Sequence, residues 1–242
     1  MPAPLEKPFE ESWFYAALRG TGDRAVLSAE ESHHLRKVLR VAMGREVVAS
    51  NGEGGVFLCA TRERGDAVEL EALEQRILEP EPPKLHLALG LLKGRHSEEP
   101  VEGLCQLGVN AIHLLTTDHS QEFKGQDHGK LVERLKAKSL VALKQAKKPW
   151  LTAIHAPVPL KVFREKHKEL GLVLLDLGED RLPERFTSAF AMLVGPEGGF
   201  SAAETEWLQR EGCHRMGLGA TRLRGTHAPL VACGKLMGLG LA

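Results

Sequence analysis

The stretch LVGPEGGFSAAE runs from Leu193 to Glu204, and its reading decides the architecture of most of the chain. The apolar run AMLVG (191–195) ends in a loop of glycines with a proline and an acid. Ser201-x-x-Glu204 then carries the signature of a helix start: the serine side chain takes the Glu204 amide and the glutamate reaches back. Strand, glycine loop and helix together make one step of an α/β unit. In open α/β sheets such loops lie outside the carboxyl ends of the strands, where ligands bind. Glycines there allow backbone groups to come close to a ligand. The loop matches neither common phosphate cradle, G-x-x-x-x-G-K-[ST] or G-x-G-x-x-G. Glu197 would repel an anion and tolerate a neutral or cationic ligand. A tight strand–helix turn with no ligand is the other reading.

The flanking sequence keeps the same rhythm. LHLALGLL (85–92), AIHLLTT (111–117), LTAIH (151–155), LVLLDL (172–177) and HRMGLG (214–219) read as strands. Several are near-continuous apolar runs, as expected of a parallel sheet covered on both faces. Helical stretches at 98–107, 129–147, 159–169, 202–211 and from 227 onward alternate with them. A second glycine-bearing loop, MGLGATRLRGTHAP (216–229), follows the last strand. Two such loops at strand ends point to one shared pocket, with Leu218 and Leu223 as apolar walls and Arg222 or Arg224 as a fixed cation.

LEPEPPK (78–84) is the clearest boundary, because its prolines neither continue a helix nor join a central strand. It divides a first domain (1–78), a linker (79–83) and a second domain (84–242). In the first domain, Ser28 and Glu31 form a capping box, and Leu35, Val38 and Leu39 fall on one helical face. REVVASNGEGGVFLCATRERGDAVELEAL then reads as three short strands turned at Asn51-Gly52 and Gly65-Asp66, a small β-barrel-like domain.

The chain has 242 residues, 43% of them hydrophobic, and equal counts of 32 basic and 32 acidic residues. A net charge of zero means that any nucleic-acid partner is met by local patches rather than by bulk charge. The four cysteines, Cys59, Cys105, Cys213 and Cys233, form no C-x-x-C pair, so they are expected to be reduced thiols and not metal ligands. His33 and His34 are adjacent and diverge on a helix, so they are not expected to chelate. The N-terminus has no apolar core of a signal peptide, and no run is long enough to span a bilayer. A cytoplasmic location is the expectation.

At the two glycine loops the chain resembles the SPOUT-class methyltransferases that modify N3 of a uridine in small-subunit (16S) ribosomal RNA. Leu193 to Glu204 fit the pattern L-[IV]-G-P-E-G-G-[LF]-[ST]-x-x-E throughout, and Leu218, Gly219, Leu223, Arg224 and Ala228 fit the next motif. HHLRKVLRVAMGREV and QLGVNAIHLL sit where the family has comparable segments. The resemblance implies an N-terminal PUA-like, RNA-binding barrel and a C-terminal α/β domain with a trefoil knot. It also implies S-adenosylmethionine as cofactor, ribosomal RNA as substrate and a homodimer. Leu193, Val194, Gly195, Glu197, Gly199, Leu218, Gly219 and Leu223 would line the cofactor pocket. The cofactor's sulfonium cation and lack of phosphate agree with the reading of Glu197.

Some charged positions depart from the family pattern. Thr226 stands for a glutamate and His227 for a threonine; Gly103 and Gln106 stand for lysine and glutamate; His119 and Lys148 each stand for an arginine, and Lys144 for a glutamate. These departures keep open two further readings, a non-catalytic RNA- or cofactor-binding relative and a knotted methyltransferase with another RNA target. Methylation of the imide nitrogen needs an exposed base, alignment, and stabilisation of charge on the imide oxygens. Arg224 is the candidate for that stabilising role. His227 is read as an exposed residue of the last helix's first turn rather than as a base. Arg36, Lys37 and Arg40, and Lys93 with Arg95, are candidate phosphate contacts. The lysines of helix 130–148 are left undecided between RNA and solvent.

Overall fold

The computed structural model describes residues 12–80, 84–123, 127–176, 182, 186 and 189–239. Residues 81–83 of the expected linker lie outside the described residues. The chain divides into two compact units, one within Met1–Pro80 plus Leu143–Leu151, the other within Glu81–Ala142 plus Thr152–Ala242.

The first unit is a five-stranded sheet in the order β1-β3-β4-β5-β2. Its strands are β1 (Trp13–Tyr15), β2 (Arg24–Val26), β3 (Glu46–Ser50), β4 (Gly55–Arg64) and β5 (Ala67–Ile77), with helix α1 (Ala29–His33) between β2 and β3. Strand alternation builds it: Val68, Leu70 and Ala72 of β5 turn inward onto Phe14, Leu35 and Phe57, while Glu69 and Glu71 face outward. The three strands read from REVVASNGEGGVFLCATRERGDAVELEAL are β3, β4 and β5, although β4 and β5 are longer than expected at 10 and 11 residues; β1 and β2 lie upstream of that segment. The charged run at the end of β4 continues as a ribbon because Glu71 pairs with Arg24 and Arg62, and Glu69 with Arg64. Strands β1 and β2, at three residues each, are too short to carry a pattern of their own.

Two local expectations around α1 are corrected. Ser28 Oγ accepts the Glu31 amide at 3.1 Å, but the Glu31 carboxylate pairs with Lys144. The helix also continues from His34 to Val38 as a π-helical turn, closed by the Leu39 amide donating to the His34 carbonyl at 3.0 Å. That wider turn rotates the face: Leu35 is buried, whereas Val38 is 60% exposed.

The second unit is a six-stranded, all-parallel sheet in the order β11-β9-β10-β6-β7-β8. The strands are β6 (Leu85–Gly90), β7 (Ala111–Thr116), β8 (Ala153–Pro159), β9 (Gly171–Asp176), β10 (Phe190–Val194) and β11 (His214–Gly217). Helices α2 (Val101–Leu107), α3 (Gly129–Gln145), α4 (Leu160–Lys166), α5 (Ala202–Arg210) and α6 (Ala228–Gly238) alternate with them. Each α/β element read from the sequence is present. Every residue of β7 and β10 is buried, and alternate side chains serve two cores. Leu87, Leu89 and Met192 pack on one face with Leu104 and Leu236; Ala88, Ala191 and Leu193 pack on the other with Phe163 and Leu208. Neighbouring strands β6 and β10 send the chain in opposite directions, one toward β7 and the other toward β11. This reversal of strand order opens a crevice at their carboxyl ends.

Candidate functional site

Close backbone approach builds the crevice. A Cβ on Gly90, the last residue of β6, would lie 2.7 Å from Pro196 Cδ; a Cβ on Gly195 would lie 2.8 Å from the Gly199 carbonyl carbon. Gly199 has φ of 72°, a conformation open to glycine at little cost. The capping box at α5 is complete, with Glu204 N to Ser201 Oγ at 3.1 Å and Ser201 N to Glu204 Oε2 at 2.9 Å. The loop after β7 is fastened to the same helix start: Ser201 Oγ donates to Asp118 Oδ2 at 2.7 Å, and the Asp118 amide to Glu204 Oε1 at 2.9 Å.

Other polar contacts fix the glycine loop. The Lys93 amide donates to Glu197 Oε1 at 3.0 Å, and Arg222 Nη2 donates to the Glu197 carbonyl at 3.2 Å. His119 Nδ1 lies 3.1 and 3.0 Å from the Gly198 and Gly199 carbonyls. Only an N–H fits there, so that nitrogen carries the proton. The Lys235 ammonium donates to the Gly217 carbonyl at 2.8 Å and holds the end of β11.

Two adjoining cavities result. The first, about 310 Å³, lies over the ends of β9, β10 and β11 and is walled by both glycine loops. Val194, Gly195, Glu197, Gly199, Leu218, Gly219 and Leu223 all line it. Leu193 does not: it is fully buried in the core beside Phe163, because neighbouring strand residues face opposite ways. Arg222, one of the two expected cations, is on the wall, and sequence reading missed Leu174, Asp176 and Phe200 there. Asp176, the last residue of β9, had a signal in its place at a strand's carboxyl end.

The second cavity, about 470 Å³, is lined by Leu92, His96, Glu99, Arg224 and Thr226. Glu197, Arg222, Leu223 and Gly225 line both cavities and form their common wall. Arg224 therefore faces the second cavity. His227 is the exposed N-cap residue of α6 and lines neither. Lys93 and Arg95 are exposed on the loop after β6.

In the first unit, Lys37 and Arg40 are exposed. Arg36 instead holds the fold together. Its guanidinium donates to the carbonyls of Gly65, Asp66 and Ala67 at 3.3, 3.2 and 2.9 Å, clasping the β4–β5 turn. Several departures from the family pattern also have local partners. Gly103 admits Leu230 of α6, whose Cδ2 would lie 2.9 Å from a Cβ there. Lys144 pairs with Glu31, and His119 with the glycine loop. None of the four cysteines is in a disulfide; burial pushes the Cys59 and Cys213 thiols up to about 12. No group of metal-ligating side chains is found among the described residues, and no described helix is long and apolar enough to cross a membrane.

The chain is similar to known proteins over most of its length. The family model for an RNA methyltransferase domain matches residues 79–237, and that for an RNA methyltransferase PUA domain matches residues 27–60. Ribosomal RNA small subunit methyltransferase E of a Synechocystis species is 27% identical over 224 residues, covering 88% of this chain and 72% of that relative. The protein of the same name from Mycobacterium bovis is 25% identical, covering 91% of this chain and 89% of its own length. A methyltransferase from Legionella pneumophila, solved with bound cofactor SAM, superposes with a TM-score of 0.81 at 26% identity, covering 95% of this chain and 98% of its own.

Proposed function

The chain belongs to the RNA methyltransferase domain family, and on that premise we propose that it methylates N3 of a uridine in small-subunit ribosomal RNA, with S-adenosylmethionine as methyl donor. One observation carries the reading: two cavities share the wall Glu197, Arg222, Leu223 and Gly225. A donor in one and a nucleobase in the other would meet across it. The names of the relatives and the cofactor bound in the Legionella protein support the same reading.

The first cavity suits the cofactor. Leu174, Val194, Leu218 and Leu223 give apolar walls, and the glycine loop presents backbone at a point where a side chain would clash. Its volume of about 310 Å³ is at the lower end of small-molecule sites. When bound, S-adenosylmethionine supplies an electrophilic methyl group on a sulfonium. Val194, Gly195, Glu197, Gly199, Leu218, Gly219 and Leu223 would hold it. Arg224 would bind an imide oxygen of the uracil and stabilise the charge that grows there as N3 is methylated. The base would enter single-stranded or flipped. Lys37 and Arg40 of the first unit, and Lys93 and Arg95 of the second, would contact phosphates, which position the RNA without reading its sequence. The same reading carries the trefoil-knotted thread of the two loops, a homodimer and a cytoplasmic location.

Two measurements test it. Calorimetry with S-adenosylmethionine should show saturable binding; absence of binding at millimolar cofactor would sink the methyltransferase reading. Nucleoside mass analysis of unmethylated small-subunit ribosomal RNA after incubation should then reveal N3-methyluridine. Cofactor binding with unchanged nucleosides would instead favour the non-catalytic relative, and a different methylated nucleoside or RNA the alternative target.

A further inference from the structure

Resting on that reading, we infer that His96, oriented by Glu99, is the base that takes the N3 proton of the uracil. His96 Nδ1 lies 2.6 Å from Glu99 Oε1, and both residues line the second cavity with Arg222 and Arg224. A carboxylate accepts only, so Nδ1 carries the hydrogen and the Nε2 lone pair is left as an acceptor. A histidine tautomer set by a carboxylate on its other nitrogen is the working arrangement of a general base.

The pair is held in place by its neighbours. His96 begins a single turn, His96–Glu98, whose two other side chains are buried. Ser97 Oγ accepts the Leu92 amide at 2.9 Å, and the Glu98 carboxylate pairs with Arg134 at 2.8 Å. With Ser97 and Glu98 anchored inside, His96 and Glu99 are the residues of this turn turned outward, each side chain just over half exposed. The other ionisable groups on the cavity are Glu197, Arg222 and Arg224. Glu197 already accepts the Lys93 amide, and a carboxylate is a weaker match than imidazole for a weakly acidic imide N–H. The arginines carry protons that they do not release.

The step balances. The N3–C bond forms as the methyl carbon–sulfur bond breaks, and the sulfonium becomes a neutral thioether. The N3–H electron pair is freed for the new bond as the proton passes to His96 Nε2. The imidazolium is stabilised by Glu99 and returns the proton to water. Arg224 at an imide oxygen makes the N–H more acidic.

The test compares wild type, His96→Gln and Glu99→Gln for cofactor affinity, single-turnover methylation rate and its pH profile. His96→Gln should bind S-adenosylmethionine as wild type does and methylate about 10²–10⁴-fold more slowly. Its rate should rise with pH throughout, without the bend that a histidine base imposes, and added imidazole should rescue His96→Ala. Glu99→Gln should lose about tenfold. A rate for His96→Gln within about threefold of wild type, with the bend intact, overturns the inference while leaving the methyltransferase reading standing. If His96→Gln loses cofactor affinity through misfolding, Glu99→Gln decides: an unchanged rate and profile overturn the inference. A wild-type protein that yields no methylated nucleoside overturns the parent reading instead.

Discussion

Gly90 and Pro196 touch backbone to ring: a Cβ on Gly90 would stand 2.7 Å from Pro196 Cδ and 2.8 Å from its nitrogen. The end of one strand thus sets the position of the glycine loop that follows its neighbour. Gly90→Ala would meet backbone, which cannot swing aside as a flexible side chain can. We expect a loss of about 1–3 kcal/mol in stability. The displaced loop should also weaken S-adenosylmethionine binding about tenfold or more, equivalent to about 1.4 kcal/mol. Denaturant melts and calorimetry check the two separately; wild-type affinity in Gly90→Ala would contradict this coupling of strand end and loop.

Arg224 lines the second cavity and not the first. Arg224→Lys keeps the charge but loses the planar fork. It should leave cofactor affinity unchanged and slow methylation by about 10–10³-fold. Single-turnover kinetics with calorimetry distinguish this from a general weakening of the site.

Arg36 and its neighbours should separate cleanly. Arg36→Ala removes the clasp on three carbonyls and should cost about 1–3 kcal/mol in thermal or denaturant unfolding. Lys37→Ala and Arg40→Ala should leave stability nearly unchanged, weaken RNA binding and reduce the salt dependence of binding by about one counterion each. Measuring RNA affinity across a salt series gives that slope.

Acid should destabilise the second unit through a histidine cluster. His113, 3% exposed, stacks on His155 at 4.4 Å, meets His167 edge-on at 4.6 Å, and has Nε2 3.0 Å from His86 Nδ1. Burial first, then the charges of His155, His167 and His86, push it down from 6.5 to about 3. Burial also lowers His86 and His155. The folded value lies below the unfolded one, so the unfolded chain takes up the proton first. The stability is therefore complete above the unfolded value and is lost as pH falls from about 6.5 toward 3. At about pH 5 the His113 contribution to the loss is on the order of 2 kcal/mol. The drop in melting temperature between about pH 7.5 and about pH 5 should shrink in His113→Phe; an equal drop would remove His113 as the cause.

The α/β half was legible because its signals are local. Buried parallel strands are apolar along their length, and Ser201 with Glu204 writes a helix start within four residues. Where the reading failed, finer geometry intervened. Val38 left the core because a π turn shifted the helix face, and the Leu193 side chain misses the pocket because it alternates with Val194 and points into the opposite core. Glu31 gave up its capping role to Lys144, more than a hundred residues away in sequence.

By itself the sequence determined the alternation of strands and helices, the two glycine loops and the family resemblance, since each lies in a short run whose pattern needs no partner. Only the tertiary structure decided the strand order, the reversal between β6 and β10, and the meeting of His96 and Glu99 with Arg224 at one cavity. Those residues come from loops after different strands. Their approach depends on which strands are neighbours in the sheet, a property of long-range packing that local spacing does not encode.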